Sequence, residues 1–248
     1  MKKVQSILVS QHPEQESAKA PYTELATKYK LKIDFRSFIQ VQGVPIQDFR
    51  KQKVNIPDYT AVIMTSKNAI DYFFKTCEEI RYTVPDTLKY FCMSETIANY
   101  LQKYVVYRKR KIFHGKQTFL ELMDLIKKHK NEKFLLPSSD ILKPVIPESL
   151  DKAGIDYSRV ILYNTVASDL SDLENVFYDV LVFYSPAGIE SLFKNFPKFK
   201  QKDTLIAAYG ETTRKAVENA GLKCNIPAPQ VNAPSMTGAI EKYIKENK

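Results

Sequence analysis

The chain has 248 residues, with 37 Lys and Arg against 28 Asp and Glu for a formal net charge of +9. At about 100 to 200 residues per domain this allows one large or two small domains. Apolar residues at 44 % and charged residues at 26 % match a globular chain and exclude intrinsic disorder. No run approaches the roughly 18 apolar residues of a membrane span. Met1-Lys2-Lys3 leads into a short apolar stretch without a secretory core, so a cytoplasmic protein with no membrane partner is expected. The widely spaced Cys77, Cys92 and Cys224 suit reduced, buried thiols better than disulfides or zinc. The positive charge favours a polyanionic partner. The basic runs 108–111 and 127–130 read as solvated faces, because the aromatic-interleaved signature of RNA-binding modules is missing.

In chain order, a strand is predicted over 4–9, then helical spacing at Tyr22, Leu25, Ala26 and Tyr29, then a strand over 33–41. A strand over 61–64 precedes helical spacing at Ala69, Ile70, Phe73, Phe74 and Cys77, and a strand over 88–92 precedes another helix. Helical spacing returns at Phe119, Leu122, Met123 and Ile126, followed by strands over 133–136, 160–165 and 180–184. Ile189, Leu192, Phe193 and Phe196 mark a further helix, and strands over 205–209 and 223–226 close the pattern. Such alternation builds parallel sheets covered by helices, the α/β class.

The chain also repeats itself. Residues 59–74 read Y-T-A-V-I-M-T-S-K-N-A-I-D-Y-F-F and residues 178–193 read Y-D-V-L-V-F-Y-S-P-A-G-I-E-S-L-F, in step. A shorter strand-helix-strand piece also occurs twice, near the N-terminus and mid-chain, so the order is short, long, short, long. A short piece cannot bury its faces alone. If the mid-chain one joins the long segment before it, the N-terminal one must join the C-terminal segment. The expected domains are then 1–34 plus 170–248, and 53–156, with 35–52 and 157–169 as a two-stranded connector. A sequential arrangement remains open from the repeat alone.

Ligands of open parallel sheets bind beyond the strands' carboxyl ends, where helix N-termini present free N–H groups to anions. Hydroxyl turns occupy those places: Thr65-Ser66, Ser94 to Thr96, Ser138-Ser139, Ser185-Pro186 and Thr212-Thr213. Each hydroxyl is either a plain N-cap or part of a carboxylate or phosphate site. The turn Ser10-Gln11-His12-Pro13 has no glycine, which excludes a dinucleotide fingerprint or P-loop there. His12, His114 and His129 lack metal-ligand spacing and a nucleophile partner, so neither a zinc site nor a hydrolase triad is expected.

The blocks M-T-S-K-N-A-I, L-P-S-S-D-I-L-K-P-V-I-P-E-S-L-D-K-A-G-I with V-I-L-Y-N-T, V-F-Y-S-P-A-G-I and A-A-Y-G-E-T-T-R-K-A-V-E-N-A-G-L resemble uroporphyrinogen-III synthase. The resemblance covers residue 61 to the C-terminus well and the first sixty residues in outline. It implies two flavodoxin-like α/β domains joined by a two-stranded connector, with the N-terminal segment completing the C-terminal domain. It also implies a cofactor-free, metal-free enzyme that cyclises hydroxymethylbilane, a linear tetrapyrrole with eight carboxylates, inverting the last ring and releasing water. A monomer acting on a small molecule, with no nucleic acid, is expected. By the same resemblance Thr65, Ser66, Thr96, Ser185, Gly188, Gly210 and Thr213 bind substrate and Tyr163 matches a connector tyrosine, the best candidate to assist loss of the hydroxyl; Ser138 and Thr212 join the substrate-binding set as members of the hydroxyl turns. Met93 stands where the family usually has glycine, and Glu211 where it often has proline. Two rivals predict other behaviour: a non-catalytic binder of an anionic metabolite, and a basic nucleic-acid-binding protein with steep salt dependence.

Overall fold

The computed structural model describes residues 3–12, 16–116 and 118–247; the readings on Met1, Lys2 and Pro13 lie outside them. The chain divides into two compact units, 1–40 with 166–248, and 41–165. Both divisions fall inside the segments read as the connector.

In the first unit, β1 (Ser6–Val9), α1 (Glu16–Tyr29) and β2 (Lys32–Phe35) come from the N-terminus. The rest comes from the C-terminus: β9 (Val180–Phe183), α7 (Pro186–Asn195), β10 (Leu205–Tyr209), α8 (Glu211–Asn219), β11 (Cys224–Ala228) and α9 (Met236–Glu246). Its five-stranded sheet has the order β11-β10-β9-β1-β2, and β1 pairs in parallel with both β2 and β9. Counted along the unit's own chain, this is the flavodoxin-like order 2-1-3-4-5. Side chains alternate across the sheet: Val180 and Val182 enter one core, Leu181 and Phe183 the other. A strand buried on both faces needs such an unbroken apolar run.

The second unit holds β3 (Ile39–Gly43), α2 (Ile46–Lys51), β4 (Ala61–Met64), α3 (Lys67–Glu79), β5 (Lys89–Cys92), α4 (Glu95–Leu101) and β6 (Ile112–His114). It continues with α5 (Phe119–Lys128), β7 (Phe134–Ser139), α6 (Val145–Lys152) and β8 (Tyr157–Ala167). The sheet order is β3-β8-β7-β4-β5-β6. Setting the edge strand β3 aside, β8-β7-β4-β5-β6 corresponds strand for strand to β2-β1-β9-β10-β11. The second unit is thus a circular permutant of the first: its two-strand piece follows the three-strand piece instead of preceding it. Val62 and Met64 enter one core and Ala61 and Ile63 the other, repeating the pattern of β9.

Three strand expectations are corrected. The run 33–41 is two strands, because the chain leaves the first sheet after Phe35, buries Phe38 at 1 % exposure and enters the second sheet at Ile39. Strand β6 follows the basic run 108–111 with only Ile112 fully buried, too short a signal to read. Strand β8 spans 11 residues instead of six, and lies within the second sheet beside β7.

Candidate active site

In each unit the strand order reverses between two neighbouring strands, and the crevice at their carboxyl ends is where ligands of such sheets bind. The reversal lies between β1 and β9 in the first unit and between β7 and β4 in the second.

In the second unit, Thr65-Ser66 joins β4 to α3, and Ser66 is the N-cap, its Oγ accepting from the Ala69 N–H at 3.0 Å. The Ser66 Oγ also lies 3.0 Å from the Tyr163 hydroxyl. Tyr163 is 7 % exposed and its ring stacks on Tyr72 at a centroid distance of 5.2 Å. Burial raises its phenol pKa, the Ser66 hydrogen bond pulls it partly back, and the charge of Asp140 adds to the rise. The phenol therefore stays a neutral hydrogen-bond donor at physiological pH.

Strand alternation predicts that Ile161 and Tyr163 share a face opposite Val160 and Leu162. A bulge overturns this: Ser138 pairs with Ile161 but Ser139 with Tyr163, leaving Leu162 as the extra residue. Val160, Leu162 and Tyr163 consequently pack into the same core.

Ser138 and Ser139 end β7 instead of starting a helix. Ser138 is 1 % exposed, and its hydroxyl donates to the Ser139 carbonyl and accepts from Arg159 Nε at 2.9 Å. The same guanidinium donates to the carbonyls of Ser139 and Asp140, while Asp140 accepts from the Thr165 N–H and donates its own N–H to the Tyr163 carbonyl. Arg159 and Asp140 so fasten the end of β7 to the strand that carries Tyr163. Thr96 is exposed in the first turn of α4, where Ser94 is the cap. Met93 stays out of the left-handed backbone region, so its backbone conformation does not call for glycine.

In the first unit, Ser185 starts α7 but makes no capping bond, and Pro186 is the first helical residue. Gly188 is buried, and a Cβ there would lie 3.1 Å from the Phe183 ring and 3.7 Å from Ser10 Oγ, so glycine lets α7 pack closely on β9. Gly210, at φ +83°, starts α8 without a side-chain cap, and its N–H is taken by the Ala228 carbonyl at 2.7 Å. Thr212 is exposed; Thr213 is 1 % exposed, and its hydroxyl has no partner. Two helices at these strand ends thus lack the caps that α3 and α4 possess, and uncapped N-termini attract anions. Glu211 is answered by Arg214, which donates to both its oxygens at 3.0 and 2.7 Å and lowers its pKa.

Tyr184 and Tyr209, the residues at the ends of β9 and β10, were not singled out from sequence. Their rings lie 5.7 Å apart, and the Tyr184 hydroxyl meets that of Tyr22 at 2.5 Å. Position at a strand's carboxyl end was the available signal.

A family profile described as uroporphyrinogen-III synthase HemD matches residues 21–238, most of the chain. The chain belongs to that family. It is a lyase of tetrapyrrole biosynthesis. A uroporphyrinogen-III synthase of Chlorobaculum parvum is 26 % identical over 210 residues, covering 77 % of this chain and 83 % of that protein. The Saccharomyces cerevisiae uroporphyrinogen-III synthase is 24 % identical over 230 residues, covering 80 % and 82 %. In fold, the crystal structure of the Helicobacter pylori uroporphyrinogen-III synthetase matches with a TM-score of 0.61 at 17 % identity, over 98 % of this chain and 99 % of that one. A mutant Thermus thermophilus uroporphyrinogen III synthase matches at 0.54 and 14 % identity, over 98 % and 100 %. Among the described residues no helix is long and apolar enough to cross a membrane.

Proposed function

We propose that this synthase closes hydroxymethylbilane with inversion of the last pyrrole ring and loss of water, using no cofactor. The observation that carries the reading is the pair of uncapped helix N-termini, α7 and α8, at the carboxyl end of a sheet in a chain of net charge +9. Free N–H groups there suit the substrate's carboxylates, with Ser185, Gly188, Gly210, Thr212 and Thr213 around them. The unpartnered Thr213 hydroxyl supports the assignment, because a buried hydroxyl without a partner costs about 1–3 kcal/mol until one is supplied.

Thr65, Ser66, Thr96 and Ser138 are assigned to the substrate's other carboxylates, the last through the turn it holds in place. Breaking the hydroxymethyl C–O bond leaves a cation stabilised by the pyrrole nitrogen lone pair, and the oxygen leaves as water once it gains a proton. Tyr163 donates a hydrogen bond to that oxygen. Since the cation forms readily, holding the chain in the geometry of the inverted product outweighs acid catalysis. The protein is inferred to act in the cytoplasm as a monomer on this small molecule, with 35–52 and 157–169 connecting its domains, and without nucleic acid or membrane.

The test is incubation with hydroxymethylbilane and separation of the product isomers. Enrichment of the ring-inverted isomer over spontaneous closure is expected. An unchanged isomer ratio from folded protein that still binds the substrate means a binding protein instead.

A further inference from the structure

The inward turn of Tyr163 depends on the bulge at Leu162, and a bulge persists only where its neighbours are held in register. Two of the residues involved are held by backbone groups of other segments. The Asp140 N–H, just past β7, donates to the Tyr163 carbonyl at 3.2 Å, and the Val44 N–H, just past β3, donates to the Leu162 carbonyl at 2.9 Å. Ile161 is held by a side chain. Its N–H donates to Gln52 Oε1 and its carbonyl accepts from Gln52 Nε2, both at 2.8 Å and both partly buried.

A carboxamide carries the donor and the acceptor of a peptide group, so Gln52 makes with Ile161 the two-bond exchange of a closely paired strand residue. Gln52 reaches β8 because it closes α2, whose Phe49 is buried in the same core as Leu162 and Tyr163. Ile161 is the residue just before the bulge: Ser138 pairs with Ile161 and Ser139 with Tyr163. A strand released at Ile161 is free to slip to the regular register, with Ser139 opposite Leu162. That slip would send Tyr163 to the face of Ile161, away from Ser66.

We propose that Gln52 is a positioning residue for the reaction: by pairing with Ile161 it keeps the Leu162 bulge, and so keeps the Tyr163 hydroxyl beside Ser66, where it meets the leaving oxygen. This rests on the assignment of Tyr163 as donor to that oxygen. Gln52→Met preserves the length of the side chain and removes both hydrogen bonds. With hydroxymethylbilane its kcat should fall about tenfold, within the roughly 100-fold that the Tyr163 hydroxyl supplies, and its KM should change less than about twofold. In the Tyr163→Phe background the same substitution should cost less than about twofold, because the hydroxyl it positions is gone. Gln52→Glu retains the acceptor but loses the donor; it should behave like Gln52→Met and carries the comparison if that variant does not fold. Lys51→Met, on the same helix with an exposed side chain, should leave kcat unchanged. Independently of turnover, a crystal structure of Gln52→Met should show the Tyr163 hydroxyl beyond hydrogen-bond distance of Ser66 Oγ. An unmoved Tyr163, a tenfold loss that persists in Tyr163→Phe, a matching loss in Lys51→Met, or a raised KM with kcat unchanged would overturn the proposal. Full turnover in Tyr163→Phe would overturn the donor assignment and the proposal with it. A loss in Tyr163→Phe with none in Gln52→Met would overturn the proposal alone.

Discussion

Ser66 and Tyr163 stand 97 positions apart in the chain, and their hydroxyl oxygens lie 3.0 Å apart. Ser66 Oγ already accepts the Ala69 N–H, which leaves its own proton free to point at Tyr163. In that arrangement the Tyr163 proton is available to a leaving oxygen.

Replacing Tyr163 by Phe keeps the ring and its stack on Tyr72 but removes the donor. Turnover should fall about 100-fold, the lower end of general-acid help, with KM changed little. Ser66→Ala should lose the helix cap, about 1 kcal/mol, and a smaller share of turnover. Steady-state isomer analysis and thermal melts report both. Full turnover in Tyr163→Phe with reduced Tm would make the residue a packing tyrosine and nothing more.

Gly43 governs that stack from a distance. A Cβ there would sit 2.8 Å from the Tyr72 ring, whose hydroxyl is tied to the Val41 carbonyl. Gly43→Ala must therefore displace the ring, at about 1 kcal/mol, and loosen its contact with Tyr163. We expect a folded protein with severalfold lower kcat, read by denaturant titration alongside kinetics. Tyr72→Phe, which keeps the ring, should lose much less.

Glu211 places a negative charge at the first turn of α8, beside the proposed carboxylate site. Glu211→Gln should lower KM about two- to threefold at low salt, as one exposed charge facing carboxylates is worth a small factor. The gain should vanish at high ionic strength. A KM unchanged at low salt would place the substrate elsewhere.

Burial pushes the Cys77 and Cys92 thiols up to about 12, from an ordinary value near 9. Their folded-state pKa values are raised, so the stability they contribute is present below about pH 9. It is lost between about 9 and 12, where the unfolded chain sheds protons that the folded chain keeps. The buried phenols of Tyr22 and Tyr90, also raised by desolvation, act with the same sign. The urea midpoint should fall over that range, less steeply in Cys92→Ala. A thiol reagent at neutral pH should reach Cys224 alone in the native protein and all three cysteines in guanidinium; fast reaction of Cys77 in the native state would contradict this.

The doubled segments 59–74 and 178–193 made the layout legible, since each codes a strand buried on both faces and a helix that follows it. The hydroxyl turns were visible for the same reason: a strand's apolar run stops at them. What stayed hidden depends on tertiary context. The bulge at Leu162 carries no glycine or proline, so nothing in V-I-L-Y announces that Tyr163 turns inward. Phe35 and Ile39 are both strand formers, and only burial of Phe38 splits their run between two sheets. Whether Ser185 caps its helix or leaves the N–H groups free is equally invisible, because the residue type is the same in both cases.

Circular permutation sets an order of events during synthesis. Strands β1 and β2 emerge first but need β9, whose residues are made only after the whole of 41–165. The second unit has all six of its strands once residue 167 is out, so it is able to condense while the first unit waits. Closing β1 onto β9 joins positions such as Ile7 and Val180, a long-range pairing whose loop entropy must be met late. A chain stopped after residue 167 should therefore keep a folded second unit behind an N-terminal segment that has no sheet to enter.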